Sequence, residues 1–220
     1  MSQASTHPAL KWILIVIAVV TALGAVFVAL YATRPVDEYR AASELEKRGF
    51  TVLYNWYGDD RIWKHPTWAR VEGQMITSDD IRLIRQLPRL SYLCFMNCDA
   101  SGLNLDEIGN CREIRDFLFL DATQFPVSEL KKLTTCPVTR IYVESKDVDL
   151  NDSDMEDFAK FTHLEVLCLD FNNVGVTDAC LEYFEKIPTL KELILPGSSI
   201  TPEGIEEFKK KRPDVEVYYE

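Results

Sequence analysis

The fold is decided by the stretch LEVLCLDFNNVGVTDACLEYFEKIPTL (164–190), which is followed at once by KELILPGSSITPEGIEEFKKKRPDV (191–215). Both stretches carry apolar residues in the spacing LxxLxL and then continue into a helical pattern. The same spacing recurs toward the N-terminus. Its five copies are Leu90, Leu93 and Phe95; Ile114, Phe117 and Phe119; Val138, Ile141 and Val143; Leu164, Leu167 and Leu169; and Leu190, Leu193 and Leu195.

The copies are evenly spaced along the chain. They begin at residues 90, 114, 138, 164 and 190, and a partial copy ends the chain at Val215 and Val217. The helical patterns that precede them cover 78–87, 105–111, 128–133, 153–161, 177–187 and 202–211. Because units of this period bury their apolar faces only by stacking on one another, the sequence predicts an α/β fold. We expect a right-handed solenoid over residues 76–220, with parallel strands on one face and helices on the other.

Polar residues mark the starts of the predicted helices. Thr77, Asp152, Thr177 and Thr201 stand where a side-chain oxygen can accept a hydrogen bond from an unpaired backbone N–H. The acidic stretch NDSDMED (151–157) has a similar role in this interpretation, since it lacks the glycine and the distant glutamate of a calcium loop. We therefore expect no metal or cofactor there.

The repeats resemble the leucine-rich-repeat family. The segment VTDACLEYF (176–184) is similar to the start of the helix in the cysteine-containing subtype found in many bacterial membrane-anchored proteins, with Cys180 in place of a glycine. The resemblance covers about residues 76–219. It implies a polar or small residue after each strand, and Ala122 and Lys146 depart from that pattern, so a locally different loop is expected at Lys146.

An uncharged segment near the N-terminus predicts a membrane anchor. Residues 12–32 form 21 mostly apolar positions, enough for a helix to cross about 30 Å of hydrocarbon. Trp12 and Tyr31 then fall at the two interfaces, which suit amphipathic rings. Residues 1–11 form a short tail. A cleaved signal peptide is the alternative, although its apolar region is usually shorter.

Charges that flank the anchor bear on its orientation. Lys11 and the terminal amine stand on one side, and Arg34, Arg40, Lys47 and Arg48 stand on the other, so that the two flanks favour opposite orientations by simple counting. A short tail with a flanking lysine is typical of a signal anchor, so we expect a single-pass membrane protein with an extracytoplasmic soluble domain.

Residues 33–75 are predicted to be a linker and an N-terminal cap. Val36, Tyr39, Ala42 and Leu45 share one helical face within residues 35–48, and Gly49 is expected to end that helix. The segment TVLYNWY (51–57) predicts a strand. The aromatic segment RIWKHPTW (61–68) is interpreted as a loop whose tryptophans seal the cap.

Composition and motifs argue against several function classes. From Thr33 onward the chain carries 23 of its 24 basic residues and all 35 acidic ones, which disfavours a nucleic-acid partner. The histidines His7, His65 and His163 are scattered, and no phosphate loop or HExxH motif is present. We therefore expect no enzyme; a hydrolase-type cluster near His65, Asp59 and Asp60 is the remote alternative.

The six cysteines are assigned to packing, since none forms a CxxC pair. Cys94 and Cys168 hold the same strand position three strands apart, about 14 Å, which excludes a disulfide between them. A bridge from Cys94 to Cys98 or to Cys111 stays open at this point.

The face of the sheet turned away from the helices, expected to be concave, is the candidate binding surface. The predicted partner-binding residues are Tyr92, Cys94, Asp116, Leu118, Arg140, Tyr142, Cys168 and Ile194. An apolar column rimmed by charge is typical of a surface that binds a protein or peptide. The alternatives are a moderately apolar face without a partner, a face covered by this chain or by a second copy, and a self-associating membrane scaffold.

Overall fold

The fold is built on one eight-stranded sheet in which the strands lie in sequence order. The computed structural model describes residues 36–56 and 64–219. The strands are β1 (Thr51–Trp56), β2 (Lys64–Glu72), β3 (Tyr92–Met96), β4 (Asp116–Leu120), β5 (Arg140–Asn151), β6 (Val166–Gly175), β7 (Glu192–Ile194) and β8 (Glu216–Tyr218). β1 and β2 pair antiparallel, and all later neighbours pair in parallel, so the predicted parallel ladder is confirmed.

The apolar triplets form the core. Every residue of the five predicted triplets is at most 1% exposed. Register explains this, because Leu93, Phe117, Ile141, Leu167 and Leu193 lie opposite one another on successive strands. Burying an aliphatic or aromatic side chain of this size stabilises the fold by about 1.5–3 kcal/mol. Each repeat therefore depends on its neighbours for most of its stability.

Helical segments connect the successive parallel strands β2–β8, but only three of these six crossovers contain an α-helix. The first helix that the structure describes precedes the sheet. The α-helices are α1 (Val36–Lys47), α2 (Ser78–Ile84), α3 (Leu181–Glu185) and α4 (Pro202–Lys211), and the 3-10 helices are Leu105–Asn110, Val127–Thr135, Asp152–Lys160 and Asp178–Cys180. A 3-10 helix rises about 2.0 Å per residue against 1.5 Å for an α-helix. It therefore covers the same length with fewer residues, which suits repeats this short.

Three threonines cap helices as the sequence predicts. Thr77, Thr177 and Thr201 each accept a hydrogen bond from a backbone N–H in the first turn of the following helix. At Thr77 the bond is part of a reciprocal capping box with Asp80. Such caps contribute about 1 kcal/mol each.

The predicted cap at Asp152 is wrong by one residue. Asn151 caps the 3-10 helix, in a capping box with Asp154, so the acidic stretch does serve a helix start. Asp152 reaches across to the next repeat, where its carboxylate accepts hydrogen bonds from the backbone N–H and the hydroxyl of Thr177 at 2.8 and 2.7 Å. No local sequence signal predicts this cross-repeat bond, because its partners are 25 residues apart.

The N-terminal cap consists of α1 and β1. α1 buries Ala41, Ala42 and Leu45 against the core, whereas Val36, which was predicted on the same face, is 48% exposed. Gly49 ends the helix with φ of +92°, a conformation that glycine adopts without a steric penalty. The structure thus has a helix where the sequence predicts one, but Val36 does not lie on its buried face.

The prediction of a loop at 61–68 is wrong for Lys64–Trp68, which lie in β2. Ala69 and Val71 of β2 lie opposite Leu93 and Phe95 of β3 and are buried like them. Ala41, Ala42 and Leu45 of α1 belong to the same buried core. β2 therefore adds a parallel strand ahead of the first recognisable triplet.

At Lys146, where a locally different loop is expected, the chain stays in a strand, and only the strand register is irregular. β5 runs for 12 residues, and its register with β6 shifts between Ser145 and Asp149 and again before Asn151. Gly175 on β6 accommodates this extension, since a Cβ there would collide with the carbonyl oxygen of Leu150.

Within residues 36–56 and 64–219, no helix is long and apolar enough to cross a bilayer. The predicted tail (1–11) and transmembrane helix (12–32), with its boundary residues Trp12 and Tyr31, lie outside the described residues.

The last repeats give a test of the cross-repeat bonds. Asp178 accepts two hydrogen bonds of 2.7 Å from Thr201, and a methyl group on Gly204 would overlap its carboxylate. Gly204→Ala should therefore destabilise the protein, although the same change in an exposed helix usually stabilises by about 0.5–1 kcal/mol. When Asp178 is replaced by alanine, the overlap is gone, and Gly204→Ala should stabilise the protein. Urea unfolding of the four proteins measures this, and the same sign in both backgrounds would contradict the geometry.

Candidate binding surface on the open face of the sheet

The open sheet face is the side of β2–β8 that points away from the helices. Its side chains stand in three columns. The first column is Trp68, Tyr92, Asp116, Arg140, Val166, Glu192 and Glu216; the central column is Arg70, Cys94, Leu118, Tyr142, Cys168, Ile194 and Tyr218; the third column is Glu72, Met96, Leu120, Glu144 and Asp170. β7 ends at Ile194 and therefore contributes no residue to the third column.

Seven of the eight predicted partner-binding residues are at least partly exposed. Arg140 is exposed, and Tyr92, Asp116, Leu118, Tyr142, Cys168 and Ile194 are half-buried. The central column from Leu118 to Ile194 thus presents apolar atoms to solvent on four successive strands. A contiguous strip of this kind is what distinguishes a binding surface from scattered apolar residues.

Cys94 is the exception, because it is only 2% exposed. Its small side chain lies beside Tyr92, whose hydroxyl donates a hydrogen bond to it, and opposite the longer side chain of Arg70. Little of the Cys94 side chain is therefore accessible to a partner, unlike the other predicted residues of the face. Cys94 supports the surface from below.

Trp68 extends the surface, whereas the sequence predicts it to seal the cap from a loop. Its ring stacks on Tyr92 with centroids 5.3 Å apart and an interplanar angle of 14°. Aromatic pairs of this kind contribute about 0.5–1.5 kcal/mol beyond their buried area. The spacing held the signal, since Trp68 precedes Tyr92 by one 24-residue period.

Arg140 is held in place by an ion pair across the ladder. Its Nε and Nη2 donate to the two carboxylate oxygens of Asp116 on the neighbouring strand, the second at 2.7 Å. The bidentate contact raises the pKa of Arg140 and fixes its guanidinium in the middle of the face. Arg140 is therefore a positioned donor and not a loose cation, while its side chain stays 54% exposed.

The tyrosines of the face keep their protons. Burial raises the pKa of Tyr92 and of Tyr142 above the ordinary value. Both hydroxyls are consequently neutral hydrogen-bond donors and acceptors at physiological pH. Amphipathic rings with a polar end are common anchors in protein interfaces.

His65, the one described member of the remote catalytic cluster, is buried. Its Nδ1 lies 3.2 Å from a carboxylate oxygen of Glu38 and 3.0 Å from Nη1 of Arg89. His65 is 1% and Glu38 4% exposed, so the group joins α1 to β2 and to the segment before β3. Asp59 and Asp60 lie outside the described residues.

All six cysteines are free thiols, including Cys94, Cys98 and Cys111, between which a bridge had stayed open. Cys168 is half-buried and the other five are buried. Burial raises the pKa of Cys111 and of Cys180 to about 12, which keeps these thiols protonated. Over the described part of the chain, no three His, Cys, Asp or Glu side chains are grouped to hold a metal ion.

The ladder of parallel strands with helical crossovers and buried triplets defines a leucine-rich-repeat-like fold. No family model matches the chain, and no curated protein matches it significantly. A solved leucine-rich-repeat protein of Leptospira interrogans is similar at 17% identity with a TM-score of 0.41. That match covers 61% of this chain and 38% of the other, so the chain spans less than half of its length, and a likeness this distant says nothing about function.

The pKa of the Cys168 thiol depends on the negative charge of the open sheet face. Burial, and then the carboxylates of Asp170, Glu144 and Glu192, raise its pKa to about 11. At pH 8.5 iodoacetamide should therefore modify Cys168 about a hundredfold more slowly than an ordinary exposed cysteine. Asp170→Asn should lower the pKa and speed the reaction.

Mass spectrometry of the alkylated chain measures this rate. Asp157→Asn, which removes a carboxylate from the helical side, is the matched control and should leave the rate unchanged. Modification of Cys168 as fast as that of free glutathione at pH 8.5 would show that the acidic surroundings are absent.

Proposed function

We propose that this chain is a membrane-anchored binding protein that holds a protein or peptide on its open sheet face and catalyses no reaction itself. The observation that carries the proposal is the half-exposed apolar strip Leu118, Tyr142, Cys168 and Ile194, in register on four strands. Strands of a parallel ladder present such side chains at fixed spacing, which favours recognition of another polypeptide.

The open sheet face has large aromatic side chains that can anchor a partner and a charged side chain that can orient it. The stacked pair Trp68 and Tyr92 and the ring of Tyr142 supply large rigid side chains, and such residues dominate interface energetics. Arg140, fixed by Asp116, supplies an oriented donor. The absence of catalysis is part of the proposal, and it is supported by the burial of His65.

The membrane part of the proposal is supported by residues 12–32 alone, with Trp12 and Tyr31 at the interfaces. A short tail on the cytoplasmic side then leaves the repeats extracytoplasmic. An anchored receptor or scaffold meets partners that are themselves confined near the same surface, which raises their effective concentration.

Substitutions on the face test the binding role. Tyr142→Ala and Leu118→Asp should each abolish capture of partners by the tagged full-length chain, because they remove an anchor or place a charge in the apolar strip. Loss of an interface aromatic commonly costs 2 kcal/mol or more, about thirtyfold in affinity. Pull-down with quantitative mass spectrometry is the measurement.

Tyr183→Ala is the matched control, since Tyr183 is an equally half-buried tyrosine on the helical side. It should leave the captured set unchanged. Melting temperatures within a few degrees of the wild type show that the two face variants remain folded. A captured set that survives both face substitutions would remove the binding role from this surface.

Alkaline extraction of membranes tests the anchor. The full chain should stay with the membrane pellet, whereas Ala22→Arg, at the centre of the span, should release a substantial part of it, because a charge there costs about 2.5–3.5 kcal/mol on insertion scales. Protease protection of sealed vesicles then shows on which side the repeats lie. Complete release of the unaltered chain by carbonate would refute the anchor.

A further inference from the structure

Charge on the open sheet face is unbalanced. Of the residues on described strands β2–β8, six carboxylates and two guanidinium groups belong to the face. They are Glu72, Asp116, Glu144, Asp170, Glu192 and Glu216, against Arg70 and Arg140. Both arginines already pair within the face, Arg70 with Glu72 at 2.8 Å and Arg140 with Asp116. The excess of negative charge therefore lies on β5–β8.

Two of the carboxylates flank the apolar strip. Asp170 follows Cys168 by two residues on β6, and Glu192 precedes Ile194 by two residues on β7. Cys168 and Ile194 are register partners, so the two acids stand on opposite sides of the strip, about 13 Å apart along the strand direction at about 3.3 Å per residue. Among the described side chains, none forms an ion pair or a hydrogen bond with Asp170 or Glu192.

The positions of Asp170 and Glu192 restrict the kind of partner that can pack on the apolar strip. A partner that packs on Tyr142, Cys168 and Ile194 also removes water from Asp170 and Glu192. Burying a carboxylate without a counter-charge is costly, whereas a charge-assisted hydrogen bond to Lys or Arg offsets that cost. An acidic or purely apolar partner is disfavoured for the same reason, and so is a second copy of this acidic chain.

We infer that the partner of the open sheet face is a cationic polypeptide segment with the pattern basic-x-apolar-x-basic. In an extended peptide, residues i, i+2 and i+4 point to the same side and span about 13 Å. The central apolar side chain packs on the strip formed by Tyr142, Cys168 and Ile194. The two basic side chains reach Asp170 on one side and Glu192 on the other. The inference rests on the proposed function, because it names the chemistry of the partner for the same surface.

Selection from a random dodecapeptide library tests it. The target is the full-length chain in nanodiscs of phosphatidylcholine, a lipid without net charge that does not attract cationic peptides. Enriched peptides should carry the basic-x-apolar-x-basic pattern, and their affinity should fall as the salt concentration rises from 0.05 to 0.5 M. The double variant Asp170→Asn/Glu192→Gln should weaken binding by about tenfold, as expected for two partly exposed ion pairs.

Glu156→Gln/Glu206→Gln is the matched control, since it removes two exposed carboxylates from the helical side. It should change the affinity less than twofold. Peptides that require Tyr142 but carry no excess of basic residues, or that bind the acid-neutralised face as tightly as the wild type, overturn the inference and leave the proposed function standing. If no enriched peptide is sensitive to Tyr142→Ala, the proposed function fails and the inference fails with it.

Discussion

Lateral packing of inward side chains from one repeat onto the next is the interaction on which the whole structure depends. Phe119 shows it best: its ring lies 4.4 Å from that of Phe95 in the preceding repeat and 4.7 Å from that of Phe125. A repeat of 24 to 26 residues cannot enclose such a ring alone, since its one strand and short helix leave both flanks open. The same packing fixes the register of the strands, and thereby the spacing of every side chain on the open face.

Much of this arrangement was predictable from the sequence, because a fixed period of apolar triplets specifies strand order and inward side chains together. β2 escaped detection for a local reason, since Ala69 and Val71 are small and a proline precedes them at Pro66. The burial of Cys94 was equally out of reach, because it depends on the sizes of Tyr92 and Arg70 around it. Periodicity gives the direction of a side chain but not how far its neighbours cover it.

Side-chain contacts between residues far apart in the chain also could not be predicted from the sequence. The group of Glu38, His65 and Arg89 joins positions separated by 27 and 51 residues, and no motif connects them. The bonds from Asp152 to Thr177 and from Asp178 to Thr201 cross from one repeat to the next in the same way. On the candidate surface, by contrast, the columns followed from the register, and the structure added Trp68, the ion pair of Arg140 and the flanking positions of the acids.

Amide hydrogen exchange of the full chain, with and without Phe119→Ala, tests most directly whether the repeats stabilise one another. Truncating a buried phenylalanine typically costs about 3–5 kcal/mol. If neighbours share their stability, protection should fall together in β3, β4 and β5, because each strand is paired to the next. Loss confined to β4, with β3 and β5 protected as before, would contradict a ladder held by lateral packing.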